Sequence, residues 1–239
     1  MDLKAIVDWL DKTLEVGAFD DVSNNSLQIA RQGADVAKVA FAVDASLAGV
    51  KAAAKAGAAL LVVHHGISWG GGIKRLTGGI YEVVRAAIAA DLAVYACHLP
   101  LDAHGKLGNN RLLAEALGLK KLKRAFSYHG NVIGCTGELS SLAKAAKLLP
   151  PAVVSRLKLP CKVGVCSGGA GEFAEDAKKL GCRLFVTGEA SWADVIAAEN
   201  CGMEMVELGH YETETYGVAA VAKAMEKELG LETVFLERR

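Results

Sequence analysis

The chain carries "VVHHG" (62–66), then "HLPLD" (98–102), "VTGE" (186–189) and "LGHYETE" (208–214). Imidazole nitrogens and carboxylate oxygens are the common protein ligands of divalent transition metals. His64, His65, His98, Asp102, Glu189, His210 and Glu214 together are more donors than one ion uses, because a catalytic zinc takes three protein ligands and keeps a position open. Two ions about 3.5–4 Å apart, bridged by a carboxylate, account for the surplus. His210 and Glu214 stand four residues apart, so on a helix they share a face and can meet one centre. Taken alone, a histidine after a strand is more often a hydrogen-bonded structural residue, and H-x-x-x-E more often a solvated pair. The set as a whole carries the metal reading. In a strand His64 and His65 point to opposite faces, so the pair serves two ions rather than one, at a strand end where Gly66 lets the chain turn.

Those residues need strands that end in polar groups, and the pattern supplies them. Leu3, Ile6, Val7, Leu10 and Leu14 fall at helical spacing and predict an N-terminal amphipathic helix. From residue 38 strands and helices alternate. VAFAV (39–43), ALLVV (59–63) and LAVYAC (92–97) read as strands; SLAGVKAAAKAG (46–57), IYEVVRAAIAA (80–90) and NRLLAEALG (110–118) read as helices. The second half continues with strands at 132–139, 162–166, 183–187, 203–208 and 232–236, and a helix at 174–181. Short apolar strands between helices predict an α/β fold with mostly parallel sheets. Ligands of such sheets bind beyond the carboxyl ends of the strands.

The halves also resemble each other. Laying Lys162 on Lys38 puts KVGVCS under KVAFAV and LGCRLFVTGE under AGAALLVVHH, so Glu189 falls under His65. Laying His210 on His98 puts Glu214 under Asp102. This predicts two related α/β domains, 1–124 with His64, His65 and Asp102, and 125–239 with His210 and Glu214, with the metal site in the cleft between them. The basic stretch Lys120 to Arg124 and Pro150, Pro151 and Pro160 are candidate joints.

Composition narrows the function classes. The 239 residues are 52% hydrophobic and 23% charged, with 27 basic and 27 acidic side chains and zero net charge. That balance gives no bulk attraction to nucleic acid or an anionic membrane. No leader pattern and no membrane-spanning apolar run are evident. The six cysteines form no C-x-x-C pair and read as reduced core residues of a cytoplasmic protein.

Other segments have a bland reading beside the functional one. Ser167-Gly168-Gly169-Ala170-Gly171 is a phosphate loop or a tight turn, and it lacks the G-K-[ST] of a P-loop. Trp69-Gly70-Gly71-Gly72 is a mobile lid or a plain flexible loop. Asn109 and Asn110 bind a polar ligand or cap a helix. His104 and His129 read as structural or exposed residues.

The strings "VVHHGISW", "HLPLDAHGKLGNN", "SGGAG", "TGE" and "LGHYETE", in that order, resemble the Nif-three-like family, also called GTP cyclohydrolase I type 2 homologues. The resemblance spans almost the whole chain. It implies two divalent metal ions held between two related domains, and a toroidal homohexamer built as a trimer of dimers. Carried over by motif, the ligands are His64, His65, Asp102, His210 and Glu214, with Glu214 bridging and His98 a near-site residue. One segment departs from the family: D-N-x-G-L-Q reads here Ser23-Asn24-Asn25-Ser26-Leu27-Gln28, losing an acidic group and a glycine.

Two functions fit. One is a metal-dependent hydrolase acting on a small nucleotide-like or cyclic amide substrate, with Glu189 and His98 as acid–base candidates. The other is a non-enzymatic metal-binding, regulatory or metal-delivery protein. The donor types suit zinc, iron, manganese, nickel or cobalt.

Overall fold

The computed structural model describes residues 1–238. Helix α1 (Leu3–Thr13) starts where the Asp2 carboxylate accepts the Lys4 and Ala5 amides, and it buries Leu3, Ile6 and Leu10. Then come β1 (Ser26–Ile29), β2 (Lys38–Asp44), α2 (Leu47–Lys55), β3 (Leu60–His65), α3 (Gly78–Ala89), β4 (Ala93–Ala96) and α4 (Leu99–Ala103). The chain continues through α5 (Asn109–Leu117), β5 (Lys120–Tyr128), β6 (Asn131–Leu139), α6 (Leu142–Ala145), α7 (Pro151–Val154), β7 (Cys161–Gly169) and α8 (Ala174–Lys179). Last are β8 (Leu184–Glu189), α9 (Trp192–Cys201), β9 (Glu204–Glu207), α10 (His210–Leu229) and β10 (Glu232–Phe235).

These elements form two units, Met1–Leu101 with Val218–Arg239, and Asp102–Gly217. The first holds a five-stranded sheet ordered β1-β4-β3-β2-β10. Only its edge pairing, β1 with β4, is antiparallel. The second sheet runs β5-β6-β7-β8-β9, and its β5-β6 and β6-β7 pairings are antiparallel. Both sheets are therefore mixed, the second evenly so. The strand at 232–236, expected in the second half, adds to β2 of the first sheet instead, with Val234 opposite Ala40. The basic stretch Lys120 to Arg124 is no joint but part of edge strand β5, where exposed lysines suit an unpaired edge.

The central strands are continuously apolar because helices cover them. In the first unit Ala40, Val50, Leu61, Val63, Ala87 and Val94 share one buried cluster. In the second, Leu113, Leu117, Leu139, Val163, Val165 and Leu184 do the same. Each buried large aliphatic contributes roughly 1.5–3 kcal/mol. Helix ends follow local chemistry: Ser191 and Asp194 form a reciprocal capping box on α9, and Gly118, at φ +84°, closes α5.

The repeat read from the sequence holds at the level of register. Val39 to Ala42 pair with Leu60 to Val63, and Val163 to Cys166 pair with Leu184 to Thr187. Leu60 to Val63 then pair with Ala93 to Ala96, as Leu184 to Thr187 pair with Glu204 to Glu207. The Cys97 amide donates to Val63 and the Leu208 amide to Thr187. By this register Gly209 underlies His98, and His210 comes one residue later than the motif alignment has it.

Candidate functional site

In the first unit β3 continues through both histidines. His64 is fully buried and His65 partly exposed at its end. The His64 Nδ1–H donates to the Cys97 carbonyl at 2.9 Å. A carbonyl only accepts, so Nδ1 carries the proton and Nε2 the lone pair. His65 Nδ1 meets Asp44 Oδ1 at 2.9 Å, and His98 Nδ1 meets Asp21 Oδ1 at 2.9 Å. All three rings are thus held through Nδ1 by an oxygen, the arrangement that orients metal-binding imidazoles. One ring nitrogen from each of His64, His65 and His98 lies within 4.8 Å of the others.

Asp21 comes from a loop that carries no sequence signal for this role. Its side chain is 2% exposed. It accepts four donors: the Ser23 and Leu99 amides, the Asn25 side-chain amide and His98. Burial pushes its pKa up, but the hydrogen bond and charge of His98, with Asn25 and Ser23, outweigh this and bring it down to about 2. Asp44 had a legible signal, an acid at the carboxyl end of a strand, directly opposite His65 in the β2–β3 ladder.

The segment that departs from the family pattern is a clamp. Gln28 Oε1 accepts the Ile67 and Ser68 amides, and its amide nitrogen donates to the Asn24 and Ser68 carbonyls. A Cβ on Gly66 would lie 2.2 Å from Gln28 Oε1, so glycine at that position makes the clamp possible. Asp21 supplies an acidic group from two residues upstream of the segment. Ser26, where the family has glycine, keeps a left-handed φ of +82° and donates its hydroxyl to Asp11.

In the second unit His210 opens α10 between two carboxylates. Its Nδ1 lies 3.0 Å from Glu189 Oε1 and its Nε2 3.1 Å from Glu214 Oε1. The hydrogen bond to Glu214 raises its pKa, burial opposes, and Glu214's charge and Glu189 add to the rise, leaving it at about 9. Glu214 is 3% exposed. Asp102, 6% exposed, receives Asn109 Nδ2 at 2.9 Å and Ser167 Oγ at 3.2 Å on Oδ1. Asn109 also accepts the Gly217 amide of α10, so one buried amide ties Asp102 to the helix bearing His210 and Glu214. Asn110 accepts the Ser167 amide and donates to the Asp102 and Ile133 carbonyls. The asparagines serve the protein's own interior and do not cap α5, whose N-cap is Gly108 without a side-chain cap bond.

The SGGAG segment is likewise spoken for: the amides of Ser167, Gly168 and Ala170 donate to Asn110, Thr213 and Thr187. It is a bulged strand end, with Gly168 at φ +66°, and its amides form no phosphate cradle. Gly168 also leaves room for the acid, since a Cβ there would lie 2.4 Å from Glu214 Oε1. His104 accepts the Lys106 and Leu107 amides in a turn, and His129 is exposed on the β5–β6 hairpin.

The structure therefore gathers His64, His65 and His98 in one unit, and Asp102, Glu189, His210 and Glu214 within the other. The H-x-x-x-D motif is divided between them, as the unit boundary follows Leu101. Among them, His64, His65 and His98, each with Nδ1 held by an oxygen, and the buried carboxylates of Asp102 and Glu214 are donor types that fit divalent transition metals.

A family model described as Duf34/NIF3 (NGG1p interacting factor 3) matches residues 1–239. The chain belongs to the Duf34/NIF3 family. A Deinococcus radiodurans protein named GTP cyclohydrolase 1 type 2 homolog is 41% identical, covering 97% of this chain and 91% of its own. An Archaeoglobus fulgidus protein of the same name is 37% identical over 99% and 98%. The crystal structure of TTHA1606 from Thermus thermophilus superposes with a TM-score of 0.81 at 31% identity, covering 100% of this chain and 99% of that one. The resemblance drawn from VVHHG and LGHYETE is thereby borne out across the Duf34/NIF3 chain.

Proposed function

We propose that this Duf34/NIF3 chain is a metal-dependent hydrolase that opens a C–N bond of a nucleotide-like or cyclic amide substrate. The observation that carries the reading is the shared state of His64, His65 and His98: each ring holds an oxygen on Nδ1, and a nitrogen of each comes within 4.8 Å of the others. His64, His65, Asp102, His210 and Glu214 would hold two divalent ions, with Glu214 bridging, as the family resemblance implies. Bound ions supply a more acidic water and a polarised substrate carbonyl or imine. The names of the Deinococcus and Archaeoglobus relatives support a purine-ring substrate such as GTP.

His98 and Glu189 are the acid–base candidates, and each works within a carboxylate–imidazole pair. Asp21 keeps the proton on His98 Nδ1, so Nε2 is the atom that takes or returns a proton. Glu189 is 59% exposed on its side chain, accessible to substrate while bonded to His210. Asn109 and Ser167 hold Asp102 in one orientation. No helix among the described residues is long and apolar enough to cross a membrane. A cytoplasmic homohexamer completes the reading.

Elemental analysis of tag-free protein tests it. About two metals per chain, lost in His65→Ala and in Glu214→Ala, are expected; one or none overturns the dinuclear reading. A fully metallated protein that turns over no nucleotide, cyclic amide or phosphoester overturns the hydrolase.

A further inference from the structure

Trp69 follows the histidines in the β3–α3 connection and is 37% exposed. The sequence leaves it on a lid or a flexible loop, but the structure holds it firmly. Its backbone bridges Ser23 in antiparallel fashion, and the next amide, of Gly70, donates to the Val22 carbonyl at 2.6 Å. The preceding amides, Ile67 and Ser68, are clamped by Gln28. The ring itself is pinned by Nε1–H donating to the Gly66 carbonyl at 3.0 Å. It packs T-shaped with the His98 ring at 5.1 Å between centroids, and the His65 ring lies 6.1 Å away. An indole fixed at backbone and side chain, beside the imidazole cluster, retains an accessible aromatic surface.

The glycine run beyond Trp69 borders open space. A Cβ on Gly70 or Gly72 would meet no heavy atom within 4 Å, and one on Gly71 only the Lys74 Cε, at 3.8 Å. Lys74 therefore lies along the glycine run, close in sequence to the indole, and Lys74 and Arg75 are both exposed. An accessible aromatic surface, an open glycine run and exposed cations five and six residues along the chain together match a flat ring joined to an anion. Aromatic faces bind nucleobases by stacking, and lysine or arginine takes the phosphate.

We propose that Trp69, with Lys74 and Arg75, is the subsite that receives the base and phosphate of a purine nucleotide. This rests on the proposed hydrolase, whose substrate class it assigns. Trp69 stacks the base next to His65 and His98, while Lys74 and Arg75 hold the phosphates. Trp69 is a specificity residue, and the hydrolytic chemistry stays with the groups named above.

The test uses full-length metallated protein carrying Trp9→Phe and Trp192→Phe, so that emission reports Trp69 alone. GTP and guanosine should quench it, and inorganic triphosphate should not. By equilibrium dialysis Trp69→Ala should weaken GTP binding roughly tenfold, in line with stacking on one ring. Trp69→Phe, which keeps an aromatic face, should stay within about threefold. Lys74→Ala with Arg75→Ala should abolish the advantage of GTP over guanosine. Unchanged GTP affinity in a folded Trp69→Ala chain overturns the proposal. A changed oligomeric state in Trp69→Ala would assign the face to chain assembly and overturn it too. Metal content measured on the same samples separates the two readings: two ions without nucleotide binding sinks only the subsite, and absence of metal sinks the proposed function.

Discussion

Strands β3 and β8 pair with their neighbours in the same register, yet one ends His64-His65 and the other Gly188-Glu189. At the first of these positions an imidazole fills the space in one unit, fully buried, with Nδ1 on the Cys97 carbonyl. In the other unit that space is taken by backbone and the Thr213 hydroxyl: a Cβ on Gly188 would lie 2.6 Å from the Gly168 carbonyl, 2.6 Å from Thr213 Oγ1 and 2.8 Å from His210 Cα. The difference traces to the extra residue after β9. Gly209, at φ +94°, starts α10 directly over the strand end, and its amide donates to the Gly188 carbonyl. The same βαβαβ frame thus presents imidazoles in one unit, and two carboxylates around a single imidazole in the other. Shared register preserves the frame, while one inserted glycine changes the chemistry it displays.

The anchors of His98 and His210 offer the strongest way to break this comparison. Asp21 is buried with four donors, and Glu189 is largely exposed. Asp21→Ala should cost about 3 kcal/mol of folding stability, because buried donors lose a charged acceptor. Glu189→Ala should cost less than about 1 kcal/mol. Urea denaturation of both variants measures this, and equal losses would mean the two anchors are equivalent after all. Gly188→Ala should cost about 2 kcal/mol by overpacking against backbone; a neutral result would show that α10 can move off the strand. Next come Asp44→Asn and Glu189→Gln, each altering the oxygen on one Nδ1. Each should weaken metal binding roughly tenfold in chelator competition, and a loss in only one would confine metal binding to that unit.

The smallest expected effect concerns the edge strand β1. Ser26→Gly relieves a left-handed residue but gives up the hydroxyl bond to Asp11, two terms of about 1 kcal/mol each. The net change should stay within about 0.5 kcal/mol, whereas Ser26→Ala should cost about 1 kcal/mol. Thermal unfolding distinguishes them, and a destabilised Ser26→Gly would show that the hydroxyl outweighs the strain.

Much of the molecule is legible in the order of its residues. Short apolar runs ending in polar residues or glycine place β2, β3, β4, β7 and β8, because a strand covered on both faces needs no polar side chains. The donor types and the H-x-x-x-E spacing single out His64, His65, His98, Asp102, Glu189, His210 and Glu214 by their chemistry. Edge strands β1 and β5 escape that reading, since half-exposed, partly basic segments look like loops. Membership of β10 in the first sheet depends on long-range pairing, which no local pattern encodes. Partners of the site residues are decided the same way: Asp21 reaches His98 across 77 residues, and Asn109, which holds Asp102, reaches Gly217 across 108. Residue type and spacing determine which groups have metal-binding chemistry. Only the tertiary structure decides which nitrogen the His64, His65 and His98 rings keep for it, because a tautomer is set by the oxygen that folding brings to the opposite side.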